Sequence, residues 1–153
     1  MSEKAFIDAL KTQYGDYIES IEIHNPKRVS ILVDREVFLD IAETLKDELE
    51  FTHPISAGVI DYPEEELMQM NYYLEDPETR VMLIFMVNIP RDDLVIPSLT
   101  QVWEAMSFHE REANEMFGVE FEGHPNLIPL LLPPDWKGGY PLRKDFKGEG
   151  VEE

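Results

Sequence analysis

The sequence predicts an α+β domain, with helices packed on a mainly antiparallel sheet, followed by a charged helix and an extended proline-rich C-terminal arm. Three observations carry this. Apolar residues recur at helical spacing at Phe6 and Leu10, and again at Val37, Phe38, Ile41, Leu45 and Leu49. Between and after these stretches lie β-rich runs, among which VMLIFMVNIP (residues 81–90) is apolar enough for a central strand. Beyond Gly118, Pro125, Pro129, Pro133, Pro134 and Pro141 forbid a long helix.

Taken in order, residues 3–13 form a first helix that Gly15 ends. Residues 17–23 alternate and form a strand, Asn25 and Pro26 make a turn, and residues 28–33 form a second strand. Asp34 suits the N-cap of the second helix. Residues 51–61 are extended, with a bulge expected at Gly58. Residues 68–74 and 80–89 pair as a hairpin around the turn LEDPET, and Pro90 ends the second of them. Ser98 lies three residues before Gln101, and Ser107 three before Glu110, both capping-box spacings. They predict a short helix over 99–104, a break near Ser107 and a second helix to Phe117, with Gly118 as its left-handed C′ residue. The expected organisation is an α+β domain over 1–97, a helical segment over 98–118, a docking arm over 119–146 and a disordered acidic tail over 147–153. LIPLLL (residues 127–132) is too apolar to leave in water, so the arm must lie on its own domain or on a partner.

Composition excludes several function classes. The 153 residues fit one domain, and a 43% apolar content suffices for a core. A formal charge of −19, from 32 acidic against 13 basic residues, repels phosphates and argues against nucleic-acid binding. No apolar run reaches the ~18–20 residues that span a bilayer, and the N-terminus lacks a signal-peptide pattern. The expectation is a cytoplasmic chain that meets a membrane only through other subunits. The absence of cysteine removes disulfides, thiol nucleophiles and the thiolates that hold nearly all iron–sulfur clusters.

Candidate chemistry concentrates in HEREANE (residues 109–115). A zinc-protease helix needs histidines at i and i+4, but Ala113 occupies the second position. His109, Glu112 and Glu115 share a helical face, and His124 could join them as a carboxylate–imidazole metal set. That arrangement defines one alternative, a free-standing metal-dependent enzyme. The other reading pairs Arg111 with Glu115 at i,i+4 and leaves the helix solvated or paired at an interface. No serine sits in a nucleophile elbow, and Gly138 and Gly139 lack the spacing of a phosphate loop. In the arm, Trp136, Tyr140, Leu142, Arg143, Lys144, Asp145 and Phe146 bring aromatic anchors beside basic residues, the types that dominate interface energetics.

Glu110-Arg111-Glu112-x-x-Glu115-Met116-Phe117-Gly118, then His124-Pro125, then Pro141-Leu142-Arg143-Lys144-Asp145-Phe146, closely resembles the 30 kDa subunit of respiratory complex I, which also occurs in related membrane-bound nickel–iron hydrogenases. The run LLLPPDW (residues 130–136) and the short C-terminus look more like the hydrogenase branch. The resemblance implies a structural and assembly subunit of the hydrophilic arm of a membrane-bound oxidoreductase that couples electron transfer to ion translocation. Such a chain is without a cofactor or active site of its own. It implies docking on the large subunit and proximity to iron–sulfur subunits; these partners of the chain hold the iron–sulfur clusters and, in the hydrogenase branch, a nickel–iron centre. Glu110, Arg111, Glu112, Glu115, Phe117, Gly118, His124 and Pro125 are then the signature, with Trp136, Tyr140, Leu142, Arg143, Lys144, Asp145 and Phe146 anchoring the arm. The same subunit of an NADH/quinone-type dehydrogenase is the other branch.

Overall fold

A computed structural model describes residues 3–128, 131–132 and 138–146. Trp136 and the tail over 147–153 lie outside the described residues. The helices are α1 (Glu3–Tyr14), α2 (Phe38–Asp47) and α3 (Ser107–Phe117). The strands are β1 (Ile18–Asn25), β2 (Arg28–Val33), β3 (His53–Tyr62), β4 (Leu67–Glu75), β5 (Met82–Pro90), β6 (Val95–Pro97) and β7 (Glu120–Glu122). Strands β1 to β5 form one sheet in the order β1-β2-β5-β4-β3.

Every neighbour in that sheet is antiparallel except β2 with β5, which run parallel with Arg28 opposite Met82 through Val33 opposite Val87. A parallel pair needs a long crossover, and α2 with the β3–β4 hairpin supplies it. The apolar run predicted to be central is β5, flanked on both sides. Alternation sends Val29, Ile31, Leu83, Phe85, Val87, Met68, Met70, Tyr72 and Leu74 to one face, where all are buried. Phe38 of α2 stacks on Phe85 with ring centroids 4.8 Å apart and tilts against Tyr72 at 5.7 Å. Phe6 of α1 meets Phe51 edge-on at 4.9 Å. Each fully buried side chain of this kind stabilises by about 1.5–3 kcal/mol relative to exposure.

Local chemistry sets the connections. Asn25 Oδ1 accepts from Lys27 N–H and closes the β1–β2 turn, and Asp76 Oδ1 accepts from Glu78 N–H in the β4–β5 turn. Asp34 caps, as expected, although it opens a single 3-10 turn (Arg35–Val37) that leads into α2. Gly58 sits in regular register opposite Asn71. The irregularity falls instead between Pro54 and Ser56, where proline brings no N–H to the ladder.

Residues 99–102 form turns rather than a helix, and a 3-10 turn (Glu104–Met106) runs directly into α3. Neither capping box forms. The Ser98 hydroxyl accepts from Thr100 N–H, and Ser107 lies inside the first helical turn. Two strands escaped the sequence reading: β6 and β7, three residues each, pair parallel across α3. Residues 98–119 are long enough to make that crossover, so α3 is the helix of a small β-α-β unit. Leu99, Val102, Trp103, Met106, Ala113, Val119 and Phe121 enter the same core cluster as the sheet.

Candidate functional site

Glu110 is the centre of the site, and it points inward. It is fully buried at 0% exposure. Tyr72 Oη–H donates to its Oε2 at 2.7 Å, Leu99 N–H donates to the same oxygen at 2.8 Å, and Ser98 Oγ–H donates to Oε1 at 2.6 Å. Three donors from β4 and the β6–α3 turn thus converge on one carboxylate and pin α3 to the sheet. Burial pushes the Glu110 carboxyl above its ordinary value, while hydrogen bonds from Ser98, Tyr72 and Leu99 hold it down. Burial and the Glu110 charge likewise push the Tyr72 hydroxyl well above the ordinary tyrosine value, so it stays a donor.

The opposite side of α3 is lined by the chain that follows β7. His124 Nε2 lies 3.1 Å from the Ser107 carbonyl, and Asn126 N–H donates to His124 Nδ1 at 3.0 Å. With Nδ1 accepting, the neutral ring carries its proton on Nε2 and donates to Ser107. Arg111 Nε donates to the Ile128 carbonyl at 3.4 Å rather than pairing with Glu115. Both oxygens of the buried Glu115 accept from Leu131 N–H, at 3.0 and 2.8 Å, and Oε1 also takes Leu132 N–H. Each of these steps joins residues 16 or 17 apart. The segment therefore runs alongside α3 as a strap in the same direction, advancing about 1.5 Å per residue like the helix, under half the rise of extended chain. The turn from Ile128 N–H to the Asn126 carbonyl, 3.0 Å, takes up part of that contraction.

The strap returns at the C-terminal end of α3. Gly118 has φ +85°, the left-handed cap the sequence predicts. Glycine is needed there for a second reason: a Cβ would lie 2.6 Å from Arg143 Nη2 and 2.8 Å from Tyr140 Cζ. Leu142 N–H donates to the Met116 carbonyl at 3.1 Å, and Arg143 Nε donates to the Phe117 carbonyl at 2.8 Å. These satisfy two carbonyls that a helix end leaves open and set a cation against the negative end of its dipole. The Arg143 guanidinium also lies 4.3 Å over the Tyr140 ring. Further on, Lys144 N–H donates to Asp61 Oδ2 at 2.9 Å, and Arg91 reaches both Asp61 and Asp145 at 3.2 and 3.6 Å. Phe146 N–H closes a turn onto the Arg143 carbonyl.

The structure thus sorts the predicted residues. Glu110, Glu115, Gly118, His124 and Arg143 make contacts within the chain, and Phe117 packs partly against the core. His109 and Glu112 stand on α3 half-exposed, and Pro125 and Leu142 are exposed. Phe108 at 49%, Ile128 at 53% and Leu131 at 55% exposure form the apolar elements of this side. His109, Glu112, Glu115 and His124 are not gathered into a metal set: both nitrogens of His124 and both oxygens of Glu115 are engaged elsewhere. Among the described residues no group of three histidine, cysteine or acidic side chains could hold a metal ion. Sequence reading missed Tyr72 and Ser98 as partners of Glu110, Asp61 and Arg91 as the receptor for the arm, and Phe108. Only the strap left a signal, the shared spacing of four in Ser107, Arg111, Glu115 and in His124, Ile128, Leu132.

Fold and site together define an α+β domain whose charged helix is bolted to the sheet from one side and strapped by the chain's own C-terminal segment from the other. Residues 31–152 match the family described as respiratory-chain NADH dehydrogenase, 30 Kd subunit. The chain belongs to that family. It is 33% identical to a subunit of the F(420)H(2) dehydrogenase of Methanosarcina mazei, over 97% of this chain and 94% of the relative. It is 34% identical to a subunit of the NADH-quinone oxidoreductase of Chlorobium phaeobacteroides, over 94% of this chain and 87% of that one. Among solved structures, a trypsin-resistant fragment of Nqo5 superposes with a TM-score of 0.67 at 25% identity, covering 80% of this chain and 98% of the fragment. A chain of the membrane-bound sulfane sulfur reductase, an archaeal respiratory membrane complex, shares the fold with a TM-score of 0.84 at 24% identity, covering 94% of this chain and 85% of that one. No described helix is long and apolar enough to cross a membrane.

Proposed function

We propose that this chain is a structural and assembly subunit of the hydrophilic arm of a membrane-bound, complex I-like oxidoreductase. It docks on the large catalytic subunit and sits at the membrane periphery through its partners. The observation that carries this is the match, over nearly the whole of both chains, to a subunit of an F(420)H(2) dehydrogenase. The geometry supports it: the buried charges of α3 are spent on the chain's own sheet and strap, while Phe108, Ile128 and Leu131 are left outward beside Glu112. Truncating such apolar anchors at the centre of an interface costs binding without unfolding the domain. In this reading the chain carries no cofactor; iron–sulfur clusters reside in neighbouring subunits, and electron transfer among them drives ion translocation elsewhere in the assembly.

Of the two branches considered from sequence, the dehydrogenase branch is favoured, because both relatives above are named as dehydrogenase or quinone oxidoreductase subunits. The hydrogenase branch places a nickel–iron centre in the large subunit. The test is recovery of the tagged full chain from membranes in mild detergent at native expression level, with co-purifying subunits identified by mass and the eluate assayed for iron and nickel. The expected result is a large assembly with iron and without nickel. Nickel in stoichiometric amount would return the assignment to the hydrogenase branch, and recovery of the chain alone would overturn the subunit reading.

A further inference from the structure

The face of the sheet opposite the helices has a composition unlike the rest of the chain. Register fixes its rows: Ser30, Ile84 and Tyr73 lie side by side, then Leu32, Met86 and Asn71, then Asn88 beside Gln69. Leu32, Met86, Tyr73, Gln69 and Asn88 are half-exposed, while Ser30, Ile84 and Asn71 between them are buried. At the outward positions of β2, β3, β4 and β5, the charges are Arg28 and Glu75, both in the terminal row with Met82, and on the edge strand β1 Glu22 stands opposite Ser30. In a chain that is 29% charged with a formal charge of −19, a solvated sheet face would alternate with charges. The near-continuous apolar run of β5 is instead the pattern of a strand covered on both faces.

The far end of the same face has a different chemistry. Two adjoining hollows lie there, floored by Leu67, Asn88, Gln69 and Pro90, with Glu65 on the lip of both and Glu66 and Asp92 beside it; Arg91 also lines the first hollow, its charge taken up by Asp61 and Asp145. An apolar and amide floor with an acidic lip fits the stem and head of a lysine or arginine side chain. A second copy of this chain would bring acidic lips together. The chain's own residues 147–153 set Glu149, Glu152 and Glu153 against Lys147, so the segment is acidic on balance and complements the lip poorly.

We infer that this open sheet face is a second docking surface, covered in the assembly by another protein subunit whose contact surface has an apolar centre and a lysine- or arginine-bearing edge that meets Glu65 at the hollow. The inference rests on the chain being a subunit, and it makes the domain a bridge, with α3 and its strap on one side and the sheet face on the other. Met86, central and half-exposed, supplies a flexible apolar contact. The charge at the lip steers the basic edge and makes this contact salt-dependent.

Peroxide footprinting of the isolated full chain and of the purified assembly, read by peptide mass, tests it. Sulfoxide formation at Met86 is expected to fall at least fivefold in the assembly, with the buried Met68 and Met70 slow in both. Glu65→Lys, in an exposed turn, is expected to lower recovery of one neighbouring subunit about tenfold. An assembly of full composition in which Met86 oxidises as fast as in the free chain overturns this inference and leaves the subunit reading standing. Protection of Met86 already complete in the free chain means its own tail covers the face, and also overturns it. Unchanged recovery with Glu65→Lys at low and high salt overturns the basic partner. Recovery of the chain alone would fail the subunit reading itself.

Discussion

In the sheet, Tyr72, Met70, Phe85 and Leu83 are fully buried and belong to one cluster that reaches into all three helices. In the segment from His124 to Phe146, Leu127 packs partly against that core, but Ile128, Leu131, Tyr140 and Leu142 are exposed. Most of the hold there comes from hydrogen bonds: Leu131 and Leu142 through N–H, Ile128 through its carbonyl, His124 and Arg143 through their side chains. The first region is held by area removed from water, the second by satisfying groups that would otherwise be orphaned. Area burial is cooperative, whereas a set of single hydrogen bonds, each worth about 0.5–1.5 kcal/mol net, can open on its own. α3 joins the two, with Glu110 facing the core and Glu115 facing the strap.

Breaking that junction from the core side has the largest expected effect. Glu110→Ala leaves the Tyr72 hydroxyl and the Leu99 N–H buried without their acceptor and is expected to cost about 3–4 kcal/mol, read by urea denaturation. Glu110→Gln is milder and exposes the linkage with pH. Burial raises the folded-state pKa above the unfolded value, so in the window just above that ordinary value the native state keeps a proton the unfolded chain has released. This group's contribution to stability therefore falls as pH rises through the window, and the fall is absent in the Gln variant. Paired pH titrations of unfolding free energy check the sign.

Next is the strap side. Gly118→Ala combines the cost of positive φ with displacement of Arg143 and Tyr140, and about 1–3 kcal/mol is expected together with faster tryptic cleavage after Arg143. Arg143→Ala loses the Phe117 cap and the stack on Tyr140, for about 1–2 kcal/mol. The isolated domain stays folded by circular dichroism, and recovery of the assembly falls. Glu112→Gln has the smallest effect on the isolated chain, within about 0.5 kcal/mol, because the side chain is half-exposed and accepts no hydrogen bond from the described residues. A loss of assembly from that variant without loss of stability assigns Glu112 to the interface.

The same contrast explains what the sequence made legible. The sheet is specified by side-chain periodicity, so β2, β4, β5 and α2 were readable nearly to the residue. The parallel pairing of β2 with β5 was not, because it depends on which strands meet across fifty residues. Gly118 was readable as a helix stop, but its role as the floor under Tyr140 and Arg143 depends on chain that returns more than twenty residues later. Most hydrogen bonds that tie the strap to α3 have a backbone carbonyl or N–H as one partner, a group nearly every residue carries, so those partners leave little trace in the sequence. The sequence offers Glu110 as the capping-box partner of Ser107, on a helix either solvated or paired at an interface. Its burial required Tyr72 and Ser98, neither of which sits near it in sequence.

Native-state hydrogen exchange on the isolated full chain tests the two-region account most directly. The account predicts that amides of β4 and β5 exchange only through global unfolding, while those of Leu131, Leu142 and Lys144 exchange through a cheaper opening, and that Arg143→Ala accelerates only the second set. A single tier, with strap and sheet amides exchanging together and shifting together in the variant, would contradict it.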